Sequence, residues 1–164
     1  MSRTERRPGI VLDRTRARAA AGAVLATVLL GGCAGDVRSA VLGTEQTAQV
    51  SVQCSRPDLP RYTATWKPEA KIIQQLELDL PALTQLAPAT GPSRAGDAYV
   101  HQYFGVVVAG KRLIYVNAFQ EGLANKDWSD YAIVICEGGH AAWGALYDPA
   151  DHSFSGFAFN GPPE

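Results

Sequence analysis

What most limits the fold of this chain is a change of hydrophobic period near residue 97. Upstream, in "WKPEAKIIQQLELDLPALTQL", Ile72, Ile73, Leu76, Leu80 and Leu83 recur at helical spacing and share one helix face. Pro68 suits a first helical turn, where its missing N–H costs nothing, and Glu69 suits the positive end of the helix dipole. Pro81 lacks a donor for the preceding turn, so the pattern predicts a helix over 68–80 and a short second piece reaching 87. Downstream, "AYVHQYFGVVV", "RLIYVNAF", "YAIVIC", "HAAWGALY" and "SFSGFAFNG" are strand-length runs separated by turn and loop residues. "AGK" reads as a three-residue hairpin connection with Gly110 free to take a positive φ, and Asp148-Pro149 starts a turn. "AQVSVQCS" (48–55) alternates weakly and reads as a first strand, followed by a proline-broken loop. The expectation is an α+β fold, with an amphipathic helix packed on an antiparallel β-meander of about four to five strands.

Charge divides the chain into two unlike parts. Residues 1–32 carry six arginines and two acids, whereas the remainder is net acidic and holds all the aromatic residues. An acidic body lacks the clustered basic face that phosphate binding needs, which argues against nucleic acid as a partner. The pair Lys111-Arg112 falls at the hairpin turn and reads as solvated charge.

Behind the arginine-rich head lies an apolar run over 19–30, shorter than the roughly 20 residues of a membrane-spanning helix and of signal-peptide length. It ends in Leu30-Gly31-Gly32-Cys33. Here the sequence resembles the lipobox of bacterial lipoproteins. The resemblance implies cleavage before Cys33, a diacylglycerol on its thiol and acylation of the new amino group. Two or three acyl chains, at about 0.8 kcal/mol per buried methylene, would hold the protein firmly at a membrane. Ala34 follows the cysteine, which by the same resemblance favours the outer membrane facing the periplasm in a Gram-negative host. The expected organisation is a signal peptide over 1–32, a lipidated cysteine and flexible tether over 33–47, and one α+β domain over 48–164. The segment "WGALYDPADHSFSGFAFNG" is similar to the ends of small uncharacterised bacterial lipoproteins, a resemblance that implies a shared fold and no assigned activity.

The remaining cysteines, Cys54 and Cys136, form an even pair, which in an oxidising compartment suggests one disulfide. The competing reading is a thiol enzyme, with Cys136 as nucleophile and His140 as base in "CEGGH". No orienting group or oxyanion hole is identifiable beside them. His140, Asp148, Asp151 and His152 match no zinc or calcium spacing, so no metal and no cofactor are expected. Glu121, Asp127, Asp130 and Glu137 around "QEGLANKDWSD" contain enough carboxylates for a glycosidase-type pair, but loop acids are ordinarily solvated. Trp128 and Tyr131 in the same region are the candidate binding residues, because an exposed loop aromatic can stack on a glycan or a protein partner. His101 alternates as a solvent-facing strand residue, and Phe157 and Phe159 share a face opposite Phe154. Three function classes follow: a membrane-anchored binding or envelope-assembly module, a thiol enzyme, and an inhibitor of an envelope-attacking enzyme presenting loop 121–130.

Overall fold

A computed structural model of the chain describes residues 38–86, 99–123 and 127–161. The expected signal peptide, Cys33 and the first residues of the expected tether lie outside the described residues. Among those described, no helix is long and apolar enough to cross a membrane.

Four strands form an antiparallel meander in sequence order: β3 (Tyr99–Val108), β4 (Lys111–Gln120), β5 (Gly139–Asp148) and β6 (Ser153–Asn160). Two short strands complete a six-stranded mixed sheet by sharing the outer edge of β3. β1 (Arg38–Val41) runs parallel to residues 100–103, and β2 (Ala64–Trp66) antiparallel to residues 105–107. The fold is therefore α+β, as expected, with β1 and β2 added to the meander. The tether reading of 33–47 does not hold from Arg38 onward, because β1 is hydrogen-bonded into the sheet and Leu42 is buried at 4% exposure.

The predicted strand at 48–55 is instead a one-turn helix, α1 (Thr47–Ser51). Thr47 and Val50, three apart, share the buried side of that turn, so the helical spacing prevails over a weak alternation. Helix α2 (Ala70–Asp79) starts two residues later than predicted, with Glu69 as its N-cap. It tightens into a 3₁₀ helix over Leu80–Gln85, where Pro81 has no N–H to continue the α pattern. The β3–β4 turn needs two residues, not three. Val108 pairs with Lys111, and Ala109 and Gly110 both have positive φ (48° and 80°), as a tight hairpin turn of matching twist requires.

The sheet is covered on both faces. Ile73, Leu76 and Leu83 pack on Tyr103, Ile114, Val116, Ala118, Trp143, Ala145 and Tyr147. On the opposite face, Leu42 and Val50 join Phe104, Val106, Tyr115 and Leu146, while Val100, Phe119 and Ala142 lie beneath Trp128, Ile133 and Ile135. This is why β3 is buried almost without alternation, and why His101 is not solvent-facing. It is 8% exposed, tilted against Trp143 at 5.6 Å between ring centroids. Phe154, Phe157 and Phe159 all lie on the α2 side. A register shift admits one extra residue in β6, and Gly156 takes φ 61° there, which returns Phe154 to the same face.

Candidate functional site

The segment 127–137 lies across the sheet face opposite α2 and contains both candidate binding residues. Its run "YAIVIC" enters no ladder, contrary to the strand expected there. Buried side-chain amides take the place of a partner strand. Gln102 and Asn117 sit opposite each other on β3 and β4, as polar exceptions within apolar strands. Gln102 Nε2 donates to the carbonyls of Trp128 (2.6 Å) and Tyr131 (2.7 Å). Its Oε1 accepts from the Ile133 N–H (3.0 Å) and from Asn117 Nδ2 (3.0 Å), so all four hydrogen-bonding positions of the amide are filled. Asn117 Nδ2 also donates to the Ile133 carbonyl (2.8 Å). From the N-terminal side, Gln46 grips the Asp130 carbonyl (2.8 Å) and the Ala132 N–H (2.6 Å). Asn160 Nδ2 donates to the Ile135 carbonyl, and Ser55 Oγ accepts from the Glu137 N–H (3.0 Å). Each of these partners is a side chain, which is why a strand-length apolar run alone misreads this segment.

The far end of this strap is covalently fixed. Cys54 and Cys136 are disulfide-bonded, with Cα atoms 5.4 Å apart and a sequence separation of 82. Closing a loop of that length removes roughly 4–5 kcal/mol of unfolded-state entropy in the chain-entropy view. A sulfur held in this bond is no thiolate. His140, the proposed base, lies instead tilted against Phe159 at 4.6 Å between ring centroids.

Trp128 folds back onto the core. It is half-buried against Val100, Phe119 and Ala142, with the Arg38 guanidinium 5.5 Å from its ring centroid. Arg38 also pairs with Glu121. Tyr131 points outward, 63% exposed, and Val134 is 41% exposed. Val52, two residues before Cys54 on the clamped segment, is 67% exposed. The strap thus presents apolar side chains from a backbone that is tied at almost every residue.

No family model, no curated protein and no solved structure matches this chain. The chemistry must therefore be read from the residues themselves.

The other sequence candidates disperse. Asp148 and Asp151 both receive Lys111 Nζ, at 3.1 and 3.5 Å, while His152 Nδ1 lies 3.0 Å from Asp79 Oδ2. Among the described residues, no three His, Cys, Asp or Glu side chains gather as metal ligands. The Asp127 carbonyl accepts the N–H groups of Asp130 and Tyr131, which makes it a turn former, and Asp130 and Glu137 are exposed. Asp79 was not singled out by sequence. Its carboxylate accepts the Tyr147 hydroxyl at 2.6 Å, a bond that holds its pKa below the ordinary value despite opposing desolvation, with His152 and Gln75 adding to the effect. Burial, then the Asp79 hydrogen bond, pushes the Tyr147 hydroxyl upward. This cluster latches the end of α2 to the β5–β6 hairpin.

Proposed function

We propose that the protein is a lipid-anchored envelope module that binds a protein partner through the strap. Cys33 would supply the membrane attachment, at the outer membrane facing the periplasm if the host is Gram-negative. The observation that carries the binding reading is the contrast within 127–137: Tyr131 and Val134 are exposed, while the backbone bearing them is held by Gln46, Gln102, Asn117, Asn160 and the disulfide. A backbone held in this way loses little conformational freedom on binding, which favours affinity per contact. The disulfide at Cys136 favours this reading over thiol catalysis, since a bonded sulfur is not a resting nucleophile. An inhibitor would be the special case in which the partner is an enzyme.

Two measurements test the proposal. Intact mass of the membrane-extracted protein should show an acylated chain beginning at Cys33; an uncleaved chain with a free Cys33 thiol removes the anchor. A photo-crosslinking phenylalanine analogue at Tyr131 should give an adduct of defined mass in living cells. The same analogue at exposed Lys71 should not, and Val134→Asp should abolish the Tyr131 adduct. Equal yields from both positions would sink the strap as a binding surface.

A further inference from the structure

On the same sheet face, a buried cation has no counter-charge among the described residues. Arg56 is 8% exposed. Its Nη2 donates to Asn117 Oδ1, and that orientation is fixed because Asn117 Nδ2 is committed to Gln102 and Ile133. Arg56 Nε and Nη1 are buried with no acceptor, and no carboxylate among the described residues pairs with the guanidinium. The hydroxyl of Tyr115 is also buried, with the guanidinium as its polar neighbour among the described residues, and the Tyr115 ring centroid lies 5.5 Å from Arg56 Cζ.

These groups converge. A Cβ placed on Gly144 would stand 2.5 Å from Tyr115 Oη, 2.9 Å from Arg56 Cζ and 3.1 Å from Arg56 Nε. Only a residue without a side chain leaves the two polar heads room to meet there. Burial pushes the Tyr115 hydroxyl up to about 12, so it remains a donor at any physiological pH. Burial lowers the Arg56 pKa, but an arginine starts so high that the charge persists. The arrangement therefore holds buried donors and one net positive charge that no carboxylate among the described residues answers.

We infer that Arg56 and Tyr115 form a binding site for a small monovalent anion of the chloride class. A water molecule could accept two of the hydrogen bonds, but it would leave the guanidinium charge buried and uncompensated, which is the costly part. A compact anion meets both needs through Arg56 Nε, Arg56 Nη1 and Tyr115 Oη. The site is held in place independently of its ligand. Arg56 follows Cys54 and Ser55, which are fixed to the strap by the disulfide and by the hydrogen bond to the Glu137 N–H. Through Asn117, the guanidinium also orients the amide pair beneath the strap. This role is independent of any partner that the strap binds.

The test uses the purified full chain in detergent. Its melting temperature is followed at fixed ionic strength as gluconate is exchanged for chloride, bromide or acetate. Chloride and bromide should raise it by several degrees in a saturable manner, because a ligand that binds only the folded state stabilises it by mass action. Arg56→Met should abolish the response. Tyr115→Phe removes one donor and keeps the charge, so it should weaken the halide midpoint several-fold, and it serves if Arg56→Met does not fold. Crystals soaked in bromide should show an anomalous peak in contact with Arg56 Nε and Tyr115 Oη. Equal melting in every salt, an undiminished shift in Tyr115→Phe, a response to acetate alone, or water in place of bromide would each overturn the site.

Discussion

Replacing Gln102 with methionine should detach the strap while leaving the sheet folded. Methionine has similar length and none of the amide's hydrogen-bonding capacity. Four bonds are lost: those to the Trp128 and Tyr131 carbonyls, to the Ile133 N–H and to Asn117 Nδ2. The bond to Asn117 Nδ2 is fully buried and the three to the strap are part-buried, so water can take over some of the strap's groups while the Asn117 N–H is left stranded. A stranded buried polar group costs about 1–3 kcal/mol, so the expected destabilisation is about 3 kcal/mol. For a domain of this size that is roughly a 10 °C drop in melting temperature. The discriminating assay is amide hydrogen exchange. Exchange at Ile133 should accelerate toward that of an open loop, whereas the amide of Tyr103 in the middle of β3 should exchange only through global unfolding. Pairing Gln102→Met with Asn117→Leu should give less than the sum of the two single effects, since both remove one shared network. Unchanged protection at Ile133, or strict additivity, would refute the idea that amides stand in for a strand.

Opening the disulfide with Cys54→Ala and Cys136→Ala together should cost roughly 4 kcal/mol in urea unfolding, and a double variant as stable as the parent would remove the loop-closure argument. His101 should make stability pH-dependent: burial holds its folded pKa down at about 4, below an unfolded value of 6.5. The unfolded chain then binds the extra proton between those values, so stability should fall on the order of 3 kcal/mol as pH drops from 7 to 4, and His101→Phe should flatten that slope. Asp79 acts lower on the scale. Its depressed pKa gives a contribution that is present above the ordinary carboxylate range and lost as pH falls through the folded value, so Asp79→Asn should remove the most acidic part of the curve. Tyr131→Ala should leave stability within about 0.5 kcal/mol, because the ring is mostly in solvent, and a larger loss would mean that the ring is structural.

How legible each element was depended on how far its interactions reach along the chain. Ile73, Leu76 and Leu83 repeat within one helix, and their burial followed from spacing alone. The β3–β4 and β5–β6 hairpins carry turn residues between adjacent runs, so both pairings could be read locally. β1 could not. Arg38–Val41 pairs with residues some sixty positions away, and nothing in four residues of mixed polarity announces a parallel edge. Alternation misplaces His101 as solvent-facing and Phe154 as opposite Phe157 and Phe159, for a related reason. Strict alternation assumes one wet face and an unbroken register, and this sheet has two covered faces and a bulge at Gly156.

The strap exposes the deeper limit. Its apolar residues are indistinguishable from a strand, and what decides its conformation is four amide side chains, at Gln46, Gln102, Asn117 and Asn160, from other parts of the chain. Gln102 and Asn117 did leave a trace: a glutamine and an asparagine in the middle of otherwise apolar strands need buried partners, because leaving them unpaired would be costly. That trace identifies the two residues as anchors without saying what they hold. Arg56 leaves the same kind of trace one step further on. It sits in a loop whose composition suggests solvent, and only the closed fold shows it buried beside Tyr115 and Asn117 with its charge unanswered. Both cases point to one physical rule for this protein. Its hydrophobic pattern selects the sheet and the helix, and its few buried polar groups select what is laid across the sheet. Function, if it resides in the strap, therefore depends on residues that carry no catalytic signature: two amides on adjacent strands and the arginine that orients one of them.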